Sequence, residues 1–193
     1  MNSFNTGMSL PRFLKFIDLA YLVEGTRLTN EQFDRLILEA SDDDRKKNIN
    51  ATRQNIMRSI FISSFSILEQ NLDEIVQMRS KSAPVDLTPN DLKDRGIRRS
   101  ITYAKKVLNM TLDTSQSHWR IVFQLQDLRN HLVHYGSTFS DSLEHEEKLR
   151  KFHKIPHVSM TDSINFTYKD IENISSIFHK CIRDFNKPKR KNT

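Results

Sequence analysis

The chain has 193 residues, of which 37% are hydrophobic and 28% charged, and its formal charge is +6. That length builds one domain, or one domain with a short extension, around a sizeable core, and the positive balance suits a polyanionic partner. Four glycines and five prolines are too few for a turn-rich β architecture, the single cysteine, Cys181, excludes an intrachain disulfide framework and fits a reducing compartment, and no apolar run approaches membrane-span length. Residues 1–10 lack the charged-then-apolar layout of a signal peptide, so a cytoplasmic location with no membrane partner is expected.

Residues 10–24 carry Leu10, Phe13, Leu14, Ile17, Leu19, Ala20, Tyr21 and Val23 at helical spacing, with Pro11 in the first turn and Gly25 as a stop. Thr29 then caps a second helix over 30–40, with Phe33, Leu36 and Ile37 on one face. Residues 1–40 read as an N-terminal helical arm that packs on the rest or docks a partner in a defence complex. Ser41-Asp42-Asp43-Asp44 is an acidic opening of the kind a helix dipole favours. A capped start outweighs a metal site there, because nothing nearby supplies further ligands. From 44 to 79 there is neither Gly nor Pro. Ile49, Ile56, Ile60 and Ile67 form one stripe, and Met57, Phe61, Phe65, Leu68, Leu72 and Val76 a second. Two stripes predict a long central helix buried on more than one side. Ser63, Ser64 and Ser66 permit close helix approach, and Glu69 is either a partner for the Arg129 or His134 region or a surface charge. After a loop over 80–88, Thr88-Pro89-Asn90-Asp91 opens a helix that runs to about Asn109 through Leu92, Ile97 and Ile101. Its Lys93, Arg95, Arg98, Arg99, Lys105 and Lys106 form either a solvated face or an electrostatic track for an RNA backbone.

Thr114, Ser115 and Ser117 offer N-caps for the next helix, whose core face is Ile121, Leu125, Leu128 and Leu132. Trp119, Phe123, Asn130 and His134 fall roughly opposite, where a subunit contact and a cleft are expected; Trp119 fits an interface or core role, or a base stack. Residues 140–152 are charged and read as a short exposed helix or a mobile loop. His145, His153 and His157 do not make a metal site, since Pro156 breaks the helix that would align the last two. Residues 155–160 and 164–167 alternate across Thr161-Asp162-Ser163, which predicts a small β-hairpin. Thr167 and Asp170 form a capping box for the last helix, with Ile171, Ile174, Ile177, Phe178, Cys181, Ile182 and Phe185 inward. The expected fold is all-α: a helical domain over 41–186 with a long central helix and a β-hairpin before its last helix, followed by a disordered basic tail over 187–193.

The chemistry concentrates in Asp127-Leu128-Arg129-Asn130-His131-Leu132-Val133-His134-Tyr135-Gly136, a polar cluster at a glycine-stopped helix end. Asn130 and His134, four apart, share one helical face, and an amide beside an imidazole can fix its tautomer for acid–base work. Arg129 offers a planar fork for phosphate oxygens. Arg129 and His134 are five apart, about 140° around a helix axis, so they do not stack within one straight helix. No Gly-rich phosphate loop, metal-binding carboxylate pair or Cys/His nucleophile pair stands out, and neither a cofactor nor a metal is expected.

Arg129-Asn130-His131-Leu132-Val133-His134 resembles the Arg-Asn-x-x-x-His form of the signature of HEPN domains, and the apolar lead-in from Ile121 to Leu128, Gly136 and the order of helices over 44–186 are similar to that family. The resemblance implies a HEPN-like helical bundle and a metal-independent endoribonuclease that works as a homodimer with its two motifs meeting; many members are toxins or antiviral defence effectors. RNA supplies its own nucleophile, the 2′-hydroxyl. On this reading His134 removes or delivers a proton, Arg129 stabilises charge on the phosphate and Asn130 holds His134, with His131 and Tyr135 as substrate contacts. An antitoxin or defence-complex partner is a further implication. The alternative is a non-catalytic dimeric module that grips RNA or a nucleotide with the same residues. Some toxins of the family have a tyrosine two positions after the motif histidine, which a partner enzyme modifies; here Tyr135 follows His134 directly, and that regulation is not carried over.

Overall fold

The computed structural model describes the backbone of residues 10–139 and 143–187, and side chains over 17–139 and 146–187. The predicted inward positions Leu10, Phe13 and Leu14, the side chain of His145 and tail residues 188–193 lie outside the described side chains. Among the described residues, six helices and one two-stranded hairpin make an all-α fold.

The first helix, α1, is continuous over Leu10–Glu39. Gly25 does not stop it and Thr29 does not cap a second one. An interior glycine costs a helix only about 1 kcal/mol relative to alanine, and α1 recovers more by lying along two other helices, α2 (Asp43–Ser80) and α6 (Tyr168–Asn186). Leu19 is fully buried in the core those helices share. The Asp42 side chain caps α2 by accepting the Arg45 amide at 2.7 Å, as the acidic opening predicts. The stripe Met57, Phe61, Phe65, Leu68, Leu72 and Val76 is wholly buried, whereas Ile49, Ile56, Ile60 and Ile67 are half-buried. Each fully buried side chain of this size contributes about 1.5–3 kcal/mol relative to exposure, so the first stripe anchors the bundle.

The expected helix from Pro89 to Asn109 is broken. Asp91 accepts from both the amide and the hydroxyl of Thr88, at 2.7 and 2.8 Å, but this capping box closes a single 3-10 turn, Pro89–Asp91. Leu92 is then extended, and α3 spans only Gly96–Lys106. Gly96, where α3 starts, has a left-handed φ of +56°. A Cβ there would sit 2.6 Å from Glu69 Oε1, so the missing side chain admits that carboxylate against the backbone.

Helix α4 spans Ser117–Tyr135. Gln116 precedes it without a side-chain cap; Ser115 turns away to bond Asp113 through both its amide (2.9 Å) and its hydroxyl (2.6 Å), so the predicted Ser and Thr caps go unused. The charged stretch forms α5, Leu143–Phe152. The hairpin is present as β1 (Ser159–Met160) and β2 (Ile164–Asn165), antiparallel, with Met160 opposite Ile164. Arg58 of α2 fastens it, donating from Nε to the Ile164 carbonyl at 2.6 Å and from a terminal nitrogen to Asn165 Oδ1 at 3.0 Å. The capping box of Thr167 and Asp170 opens α6 as expected, and every predicted inward residue of that helix is buried. Phe166 stacks on Phe61 at 4.8 Å and Phe178 meets Phe65 edge-on at 5.6 Å, which closes the core around α2.

Candidate functional site

The site follows from how α4 is seated. Val122, Leu125 and Leu128 are fully buried and Leu132 nearly so, which fixes the rotation of the helix. Trp119 sits outside the expected polar face: it is fully buried, its indole N–H donates to Asp184 at 3.1 Å, and its ring lies 5.7 Å from Phe185. The cause is α6, which covers that flank of the first turns of α4. Beyond them the flank opens, and Asn130, Val133, His134 and Tyr135 are exposed. Gly136, at φ +80° and ψ −159°, turns the chain through a region open essentially to glycine alone and ends the helix where the sequence predicts. His134 thus occupies the last turn.

A cleft of about 450 Å³ separates the end of α4 from α5 and the turn after it. Asn130, His131, His134 and Tyr135 line one wall, and Lys148, Lys151, Phe152 and Lys154 the other. His131 is 3% exposed. Its ring stacks between Phe139 (4.7 Å, 11°) and Tyr135 (5.4 Å, 28°), with Phe152 edge-on, so it shores up the floor of the cleft. Lys148 lies 4.9 Å from the centre of the Tyr135 ring, a cation–π contact that joins the two walls.

Arg129 does not line this cleft. It turns towards α2, where its guanidinium is 3.8 Å from Glu69 and donates to Asn130 Oδ1 at 3.2 Å. Asn130 is thereby bonded to Arg129, and among the described residues no hydrogen bond joins it to His134. Arg129 and His134 point to different sides of one chain, as their angular separation requires. Of the two readings of Glu69, the structure supports the partner of Arg129. Burial pushes the Glu69 carboxyl above its ordinary value; Arg129 and Arg99 pull against the rise and Asp73 adds to it. Beside this pair, Arg99 holds both oxygens of Asp73 at 3.1 and 3.0 Å, and Ser100 donates to the same carboxylate.

That arrangement takes Arg99 out of the predicted basic face, whose Lys93, Arg95, Arg98, Lys105 and Lys106 are exposed. Lys93 and Arg95 precede α3, Arg99 is engaged by Asp73, Arg98 lies over the Phe123 ring at 5.0 Å and Lys105 bonds Thr114. The concentration of cations that sequence reasoning missed is on the far wall of the cleft. Its signal was present: Lys148, Lys151 and Lys154 recur every three residues, interleaved with Phe152 and Ile155, which are 5% and 4% exposed. The start of α4 holds a second missed cluster, in which His118 Nε2 and Asp184 are 2.6 Å apart and Lys187 meets the other oxygen of the carboxylate at 2.6 Å.

Among the described residues, no group of three His, Cys, Asp or Glu side chains converges as a metal site would require. His157 bonds Asn173 instead. Cys181 is buried, and burial with the nearby Asp184 pushes its thiol far up, away from nucleophilic use. No helix among the described residues is long and apolar enough to cross a membrane. No family model, no curated protein and no solved structure matches the chain.

Proposed function

We propose that this chain is an endoribonuclease of the HEPN type, a cytoplasmic toxin or defence effector that cleaves RNA by attack of the 2′-hydroxyl on the adjacent phosphate. The observation that carries the reading is the open imidazole of His134 at a helix end, facing three lysines across a cleft that also holds Asn130 and Tyr135. An exposed imidazole is the side chain best suited to exchange protons near neutral pH. His134 takes the proton of the 2′-hydroxyl or delivers one to the departing 5′-oxygen. The new oxygen–phosphorus bond leaves a 2′,3′-cyclic phosphate on one product and a 5′-hydroxyl on the other. No metal takes part. Arg129, which faces away from His134 in its own chain, serves the phosphate across a twofold dimer.

Purified protein is incubated with RNA in excess chelator and the product ends are mapped. Wild type is expected to cleave and leave cyclic phosphate ends, and His134→Ala to lose about 10²- to 10⁴-fold in rate. Mixing His134→Ala with Arg129→Ala subunits is expected to restore cleavage, since one mixed dimer site is then intact. Activity abolished by chelator, or unchanged in His134→Ala, overturns the proposal.

The separation of Arg129 from the His134 cleft within one chain favours a second reading, a dimeric module that binds RNA or a nucleotide without cutting it. Binding by wild type with no turnover under any condition tested selects that reading.

A further inference from the structure

The cleft needs a cation beside the scissile phosphate, and within one chain Arg129 is turned away from it. We propose that Lys151 and Lys154 are the phosphate-binding groups of the cleft, supplied in cis by α5 and the turn that follows it. This rests on the ribonuclease reading above and assigns the RNA backbone, rather than a base, to this wall.

Three observations carry it. Lys148, Lys151 and Lys154 face the wall that holds Asn130 and His134, and among the described residues the one carboxylate lining the same space is Asp127, so the cleft is electropositive. The lysines stand on a fixed mount, because Phe152 and Ile155, alternating with them, are buried in the common core. The present engagement of Lys151 is easily exchanged. Lys151 pairs with Glu147 at 2.9 Å, but the two side chains are 69% and 71% exposed, and an ion pair in water contributes little. A phosphodiester matches that carboxylate in charge and in free oxygens, but a strand presents several in succession and releases counterions when they are neutralised. Lys148 serves differently, because its position over Tyr135 holds the two walls in register.

The probe is a short RNA with 2′-O-methyl groups, which lacks the nucleophile and so reports binding alone. Its affinity is measured by fluorescence anisotropy across a salt series, for wild type, for Lys151→Gln/Lys154→Gln and for Lys46→Gln/Lys47→Gln, which changes two lysines near the start of α2. The cleft pair is expected to weaken binding at least tenfold. It is also expected to flatten the log–log salt slope by about 1.4, the contribution of two phosphate contacts on a single strand. The α2 pair is expected to bind as wild type does, and Lys151→Arg/Lys154→Arg to keep the affinity. If wild type binds and the cleft pair binds equally well with an unchanged slope, the assignment of the lysines fails while the ribonuclease reading stands. If wild type neither binds the probe nor cleaves unmodified RNA, that reading fails and takes the assignment with it.

Discussion

The two ends of α4 treat their polar groups in opposite ways. At the start, His118 and Trp119 converge on one oxygen of Asp184 and Lys187 takes the other, with His118 and Asp184 only 13% and 11% exposed. At the finish, His134 is exposed, and among the described residues its contact is the edge of the Tyr135 ring at 6.4 Å. One histidine is a strut between helices; the other is open to a ligand. Motif spacing alone does not separate them, because both lie on one helix beside an aromatic residue. What separates them is whether α6 lies alongside.

Four substitutions would break or sharpen that contrast. Trp119→Ala empties a fully buried site and removes a donor to Asp184, and is expected to cost about 3–5 kcal/mol in denaturant unfolding. Asp184→Asn removes the charge that His118, Trp119 and Lys187 share, with an expected cost of about 1.5–3 kcal/mol near neutral pH. Burial pushes the Asp184 carboxyl up, but Lys187, His118 and Trp119 together outweigh it and hold the group below its ordinary value. A carboxyl held low stabilises the fold above its unfolded-state value and loses that contribution as pH falls through the lowered one. Wild type should therefore lose more stability than Asp184→Asn as pH drops from about 5 to about 3, in melts recorded as a pH series. Gly136→Ala forces a side chain into the backbone region at φ +80° and should cost about 1–3 kcal/mol by thermal unfolding, with His134 displaced. His134→Ala is expected to change stability by less than about 0.5 kcal/mol, since the side chain is exposed. A large loss there would show that the finish of α4 is a strut as well.

Sequence periodicity revealed most of the framework, because burial in a helical bundle writes itself at three- and four-residue spacing. The central helix, the Thr167–Asp170 cap, the hairpin and the Gly136 stop all follow from local chemistry. What was hidden depends on neighbours distant in sequence. Gly25 reads as a stop until α1 is seen to run through it alongside α2 and α6, and after Pro89 only one turn forms, with Leu92 extended and Gly96 left-handed beside Glu69. At the site, the positions of Asn130 and His134 were legible, and the angular separation of Arg129 from His134 was foreseeable from helix geometry. The opposing lysines were not placed, since a charged stretch gives no sign of what it faces.

The chain leaving α4 has one more consequence. After Gly136, the Ser137 carbonyl accepts the Ile164 amide at 2.9 Å and Thr138 bridges to Ser163, while Arg58 clamps the hairpin from α2. The rim below His134 is therefore a rigid lip, riveted to the long central helix. Across from it the lysines are mounted on Phe152 and Ile155 in the common core, so a guest in the cleft meets two walls that are both tied down.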